Sequence, residues 1–260
     1  PVTTVYNNPC ERVCLIPQRD ANPFFHLIES LWMLDGRKDL KPLTYFVKTM
    51  GDFSDDGETL WGAYGWRWKS YFKVREGKLN MTVCNRSNDM LWGAYGANVV
   101  HMSVLQEYMA SAIGVRVGVY RQVSDSFHVY TEAPVWDKVK DLSIDPHTFS
   151  ELKNPYDTLK DYKHIPLFKN TDSIPQELER FFNTEPDDFK TWDSWENPVL
   201  NDIAAPMMVV YSYYKHKNFH GAYQHLCHIK ALDWRAACLS WLLKREQSHI
   251  TKTKEGEAHE

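Results

Sequence analysis

A chain of 260 residues, 43% hydrophobic and 25% charged, is long enough for one sizeable core, and no uninterrupted apolar run approaches the ~20 residues that span a bilayer. A formal net charge of −4 argues against a surface that coats nucleic acid, although local basic groups can still grip one phosphate. Five scattered cysteines (Cys10, Cys14, Cys84, Cys227, Cys238) without a Cys-x-x-Cys pair, and no signal-like apolar opening, point to a reducing cytoplasm.

Val2-Thr3-Thr4-Val5-Tyr6 is β-prone and is broken by Asn7-Asn8-Pro9. Residues 12–16 read as a second strand closed by Pro17. Asn22-Pro23 opens a helix whose apolar stripe is Phe24, Leu27, Ile28, Leu31, Trp32 and Leu34, with Gly36 as its stop. Glu29 stands inside that stripe. It is either a rim carboxylate facing water or a group half-buried under Trp32, where burial would raise its proton affinity. Residues 71–83 read as a hairpin turning at Glu76-Gly77. Val100, Val104, Leu105, Tyr108, Met109, Ala112 and Ile113 have helical spacing up to Gly114, and residues 115–120 alternate as a strand. The sum is an α+β class, a mixed sheet with packed helices.

Beyond residue 164 the texture changes to proline-punctuated loops, two aromatic-rich segments at 207–214 and 219–227, and an amphipathic helix over 232–243. The expected organisation is a core over 1–164 and a loop-rich, helical extension over 165–260, ending in a solvated tail from residue 249. Leu-Trp-Gly-Ala-Tyr-Gly occurs at 60–65 and again at 91–96. Its flanks share nothing, so the expectation is two glycine-rich turns beside one pocket rather than a duplicated domain.

The residues suited to ligand chemistry lie between 86 and 130. Arg86 and Ser87 end a strand and together suit a monophosphate, although the pair alone also reads as a surface salt bridge. Asp89 follows. Asn98 opens the next helix and can both accept and donate a hydrogen bond, as the N3–H and O4 of uracil require. His128 and Tyr130 alternate on one strand and could hold a sugar hydroxyl. His216, His220, His225, Cys227 and His228 have partial zinc-like spacing without a completing carboxylate, and no metal is expected there.

Arg86-Ser87-x-Asp89, a glycine, Asn98, a helix, then Asp125-x-x-His128-x-Tyr130 resembles the thymidylate synthase family signature, in its bacteriophage-type variant. Glu29-Ser30-Leu31-Trp32 and Tyr64-Gly65-x-Arg67-Trp68 resemble the family's upstream elements, so the likeness covers roughly residues 1–135. It implies a thymidylate synthase-like fold, a homodimer, and reductive methylation of dUMP with 5,10-methylenetetrahydrofolate in a cytoplasm, that of the host if the chain is phage-encoded. Arg86 and Ser87 would hold the phosphate, Asn98 the uracil, and His128 and Tyr130 the deoxyribose. Asp89 and Trp32 would border the folate, Glu29 would organise proton transfer, and Tyr64 would assist loss of the C5 proton. Alternatives of the same resemblance are a dUMP or dCMP hydroxymethylase and a nucleotide-binding relative without turnover.

The chain departs from that pattern at its nucleophile. A Pro-Cys segment is expected about twenty residues before Arg86, where Gly65-Trp66-Arg67-Trp68-Lys69-Ser70 stands instead. Either a seam near 68–71 joins pieces of a longer chain, or the protein lacks the segment and cannot run cysteine chemistry. Cys84 reads as a buried strand residue, and Cys10 and Cys14 have no neighbouring histidine in sequence.

Overall fold

The computed structural model describes residues 1–60, 69–140, 154–190 and 194–257. Four strands form one mixed sheet in the order β1-β4-β3-β2, where β1 is Val2–Tyr6, β2 Lys69–Arg75, β3 Lys78–Asp89 and β4 Arg116–His128. Glu76 and Gly77 both take positive φ (52° and 69°), as a two-residue turn of the I′ kind requires, and so fold β2 back on β3. The pair β3 and β4 is parallel, with Met81 beside Tyr120, Asn85 beside Ser124 and Asp89 beside His128. Parallel strands need a crossover. In order of the chain, helices α1 (Pro23–Leu34) and α2 (Lys41–Phe46) precede the hairpin, and α3 (Ala97–Ala112) makes the crossover.

The short α4 (Pro134–Val139) follows the sheet, and then come α5 (Ile174–Asn183), α6 (Ala205–Lys215), α7 (Phe219–His225) and α8 (Leu232–Glu257). Period-2 alternation turns Leu79, Met81, Val83 and Tyr120 inward, the last three into one cluster with Phe24, Leu27, Ile28 and Leu31 of α1 and Val100 and Val104 of α3. Asn22 caps α1 by accepting the Phe25 N–H at 3.2 Å, and Pro23 fills the first turn. The C-terminal helices join this core. The Phe24 ring lies 5.1 Å from Tyr211 and 5.5 Å from Trp241, and one buried cluster runs from Val13 to Leu242. The abundance of aromatics is thus explained largely by packing.

Three expectations about elements need correction. Residues 12–16 form no strand: Arg12 is turned inward to Glu107, and the Val13 N–H donates to Tyr156 Oη at 2.8 Å, so neither supports a ladder. The strand expected to carry both His128 and Tyr130 stops at His128. The last helix does not stop near residue 243 but continues to Glu257, taking in most of the expected solvated tail. Among the described residues no helix is long and apolar enough to cross a membrane.

Candidate nucleotide-binding site

The parallel register delivers the carboxyl ends of β3 and β4 to the same edge, with α3 starting beside them. Asp89 is the strand neighbour of His128, and Ser87 of Ser126. Asp89 Oδ1 accepts the Trp92 N–H at 2.5 Å and so caps a wide turn over Met90–Ala94; Asp89 Oδ2 is buried with no partner. The chain then enters α3, where Asn98 is buried in the first turn.

A buried network sets the orientation of Asn98. Its Nδ2 donates to Asn88 Oδ1 at 3.0 Å, and Asn88 Nδ2 donates to Gln122 Oε1 at 2.8 Å and Ser124 Oγ at 3.0 Å. Gln122 also donates to Tyr120 Oη, and Tyr6 Oη donates to Gln122 Oε1 at 3.3 Å and to the Ala94 carbonyl. With one amide N–H committed, Asn98 retains a carbonyl and a second N–H, the complement of an imide edge. Gly93 lies against this bond: a Cβ there would stand 2.7 Å from Asn98 Nδ2 and inside the Asn88 carbonyl oxygen. The glycines of the second Leu-Trp-Gly-Ala-Tyr-Gly copy therefore serve internal packing, Gly96 against the Leu91 and Trp92 carbonyls, rather than an open ligand approach. The first copy lies outside the described residues except for Leu60.

One turn along α3 from Asn98 is His101, whose Nε2 lies 3.0 Å from Glu29 Oε2. Both side chains are buried, so Glu29 is not a rim carboxylate. The contact is skewed and leaves Glu29 Oε2 and both imidazole nitrogens without a hydrogen bond. His26, one turn earlier on α1, is pushed down to about 3 by burial, with His101 and Arg19 adding to the effect. Arg19 approaches from the other side. Its Nε and Nη2 donate to the Leu91 carbonyl, its guanidinium lies 4.5 Å over Trp92, and its Nη1 has no partner.

The structure therefore gathers Asp89, Asn98 and His128 at one sheet end and sets Glu29 one helix turn away on the neighbouring helix. Arg86 and Ser87 are exposed on the same end of β3. Tyr130 is exposed just past β4, its ring 5.0 Å from that of His128. Trp32 points elsewhere: it is buried with Leu40, Leu43 and Leu60 and donates its indole N–H to the Asp39 carbonyl at 2.9 Å. Tyr64 lies outside the described residues. Sequence reasoning missed Asn88, His101, Gln122, Ser124 and Arg19. The signal for two of them was legible, since the alternation of β4 puts Gln122 and Ser124 on the inward side after Tyr120.

Cys84 is on β3 as expected but exposed, because alternation puts it on the face opposite that of the buried Val83 and Asn85. Burial pushes the Cys14 thiol up, and Cys238 more so. Cys227 is exposed beyond α7. Cys10 follows Pro9 but lies far in sequence from the strand before Arg86 where the nucleophile is expected, and none of the other four follows a proline. A cavity of about 520 Å3, lined by Asp187, Ser212, Tyr213, His216 and His225, is remote in sequence from the strand-end site.

Comparison with known proteins matches the family model described as thymidylate synthase to residues 68–193. The deoxyuridylate hydroxymethyltransferase of Pseudomonas phage M6 is 38% identical over 300 aligned positions, covering 94% of this chain and 84% of that protein. Since 94% of 260 residues is about 245, over fifty aligned positions of the relative have no counterpart here. The deoxyuridylate hydroxymethyltransferase of Bacillus phage SP01 is 33% identical over 190 positions, about half of each chain. Given the strand-end motif, the ordered amide on α3 and a match along nearly its whole length, the chain belongs to the thymidylate synthase family.

Proposed function

We propose that this chain binds dUMP at the ends of β3 and β4 and serves hydroxymethylation of its C5 with 5,10-methylenetetrahydrofolate as co-substrate. Arg86 and Ser87 take the phosphate, Asn98 the uracil edge, and His128 with Tyr130 the 3′-hydroxyl. The observation that carries the reading is the amide of Asn98, fixed by Asn88 with one acceptor and one donor left over, in a chain so similar to the M6 hydroxymethyltransferase. Asp89 borders the pyrimidine and the folate. Glu29, paired with His101, is the group placed to hold or move a proton at the base or the co-substrate, and Tyr64 is the candidate for loss of the C5 proton.

The one-carbon unit leaves the folate as a methylene attached to C5. Water adding to that carbon yields hydroxymethyl-dUMP and tetrahydrofolate. Hydride transfer from the folate instead yields dTMP and dihydrofolate, the second reading. Both need a thiolate at C6, and the segment that would carry it is proposed to lie among the relative's residues without counterpart here. Incubation of the chain with that segment restored, with dUMP and methylenetetrahydrofolate, nucleotides separated and dihydrofolate followed by absorbance, decides the matter. Hydroxymethyl-dUMP without dihydrofolate is expected. Stoichiometric dihydrofolate and dTMP would replace this reading with methylation, and saturable dUMP binding without turnover would leave a binding protein.

Replacing Asn98 by aspartate tests the base. A carboxylate facing the uracil O4 loses a donor and gains repulsion, worth about 1–3 kcal/mol for a buried mismatch. Asn98→Asp is expected to weaken dUMP roughly 10- to 100-fold by calorimetry and dCMP much less. Equal losses for both nucleotides would remove Asn98 from the base contact.

A homodimer is inferred from the sheet's outer face, where Thr3, Val5, Tyr71 and Cys84 are exposed and α3 covers only the opposite side. A monomer in sedimentation velocity would remove that inference.

A further inference from the structure

A second constellation lies away from the nucleotide site, where the loop after β1 meets the far part of α3 and the start of α8. Glu107 is nine residues beyond Asn98, about 13 Å along the helix. Its Oε1 accepts from His164 Nε2 at 2.9 Å and from the Leu167 N–H at 2.8 Å, and its Oε2 pairs with Arg12 Nη2. Ligand atoms of Cys10, Glu107 and His164 all lie within 4.8 Å of one another. So Cys10, which has no histidine near it in sequence, has one in space.

Two independent observations say what this arrangement could receive. Arg12 has a side chain only 1% exposed; its Nε donates to the Pro9 carbonyl at 3.3 Å, its Nη2 meets Glu107, and its Nη1 has no partner. Beside it is a cavity of about 10 Å3 lined by Cys10, Arg12, His164, Ile203, Asp233 and Trp234. That is room for one water-sized group. A buried guanidinium N–H without an acceptor, next to a void of one oxygen's size and a thiol, calls for an oxygen.

We propose that Cys10 is an oxidation site at which hydroperoxides convert the thiol to a sulfenic acid whose oxygen is received beside Arg12. In the step, the Cys10 thiolate attacks the distal oxygen of the hydroperoxide. The S–O bond forms as the O–O bond breaks, and the leaving hydroxide or alkoxide takes a proton from the His164 imidazolium. The sulfur is oxidised by two electrons and the peroxide is reduced to water or an alcohol; a low-molecular-weight thiol reverses the change. Glu107 orients the imidazole. The bonds of His164 to Cys10 and Glu107 outweigh its burial and raise it to about 9, which keeps it a proton donor at neutral pH. The charged and titratable groups around the thiol are Arg12, Glu107, His164, Asp233, Tyr156 and Tyr162, from four separate stretches of chain. A divalent metal on the same three ligands is the less favoured occupant. Both Glu107 oxygens already have partners, and the arginine cation opposes a second positive charge.

The test uses the full chain, reduced and freed of metal, treated with a few equivalents of hydrogen peroxide in the presence of dimedone, with adducts located by peptide mass spectrometry. Cys10 is expected to label at least tenfold faster than Cys84 or Cys227, although both are more exposed. His164→Gln should slow labelling at Cys10 by tenfold or more and leave the Cys84 rate unchanged. Labelling of Cys84 or Cys227 as fast as Cys10 in the unmodified chain overturns the proposal, as does a His164→Gln chain with native circular dichroism and an unaltered Cys10 rate. Stoichiometric zinc that protects Cys10 from dimedone also overturns it, in favour of a metal site. If the variant fails to fold, the comparison of cysteines in the unmodified chain still decides.

Discussion

Gly93→Ala is expected to lower affinity for dUMP by about 10- to 100-fold while leaving the chain folded. A methyl group at 93 cannot fit beside the Asn88 carbonyl oxygen and Asn98 Nδ2, so the bond between the two amides must lengthen or break. Either outcome rotates Asn98 away from its fixed orientation and leaves buried polar atoms of Asn88 without partners, at a cost of about 1–3 kcal/mol. The loss should therefore show in two measurements together: dUMP titration calorimetry and the midpoint of urea unfolding. Gly51→Ala is the control. Nothing lies within 4 Å of a Cβ at that position and the backbone is not left-handed, so binding and midpoint should both stay unchanged. A Gly93→Ala protein that binds dUMP normally would mean that Asn98 does not depend on this network, and with it the reading of the base contact would fail.

How much of this could be read from the residues divides along the range of the forces involved. Helices α1 and α3 were legible because their stripes, Pro23 and Gly114 are local signals that tertiary packing then reinforced. The hairpin was legible because Glu76-Gly77 can supply two left-handed residues. Asp89, Asn98 and His128 were legible as neighbours only through the family likeness, and the parallel register of β3 and β4 is the physical reason that they meet. What was not legible is long-range. Arg12 looked like a strand residue, but its charge is satisfied by Glu107, 95 residues away, and that pairing overrides the local β preference of residues 12–16. Cys84 looked buried because its strand runs through the core, but only one face of that strand is covered and alternation puts Cys84 on the other. The Glu29–His101 pair joins two helices whose apolar stripes concealed it. No cysteine stands about twenty residues before Arg86, where the likeness puts the nucleophile, and the segment around Tyr64 lies outside the described residues.

Glu107→Gln is expected to cost about 3–5 kcal/mol of stability near neutral pH, because it leaves the buried Arg12 guanidinium without its counter-charge. Lys41→Ala, which removes an exposed pair with Glu185 at 2.8 Å, should cost at most about 1 kcal/mol. The pH dependence distinguishes the electrostatic origin from simple loss of packing. Arg12 and His164 overcome the burial of Glu107 and hold its carboxyl at about 2, below its unfolded value, so its contribution is complete above about 4.5 and fades as pH falls toward 2. His164 is raised to about 9, so its contribution is complete below about 6.5 and fades as pH rises through 9. His26, depressed to about 3, makes both proteins less stable as the pH falls below 6.5, and that cost cancels in the comparison. The difference in unfolding free energy between the unmodified chain and Glu107→Gln should therefore peak between about pH 4.5 and 6.5 and shrink on either side. Urea titrations from pH 3 to 10 measure it, and a difference that stays flat across that range would show that Glu107 stabilises the fold by shape alone.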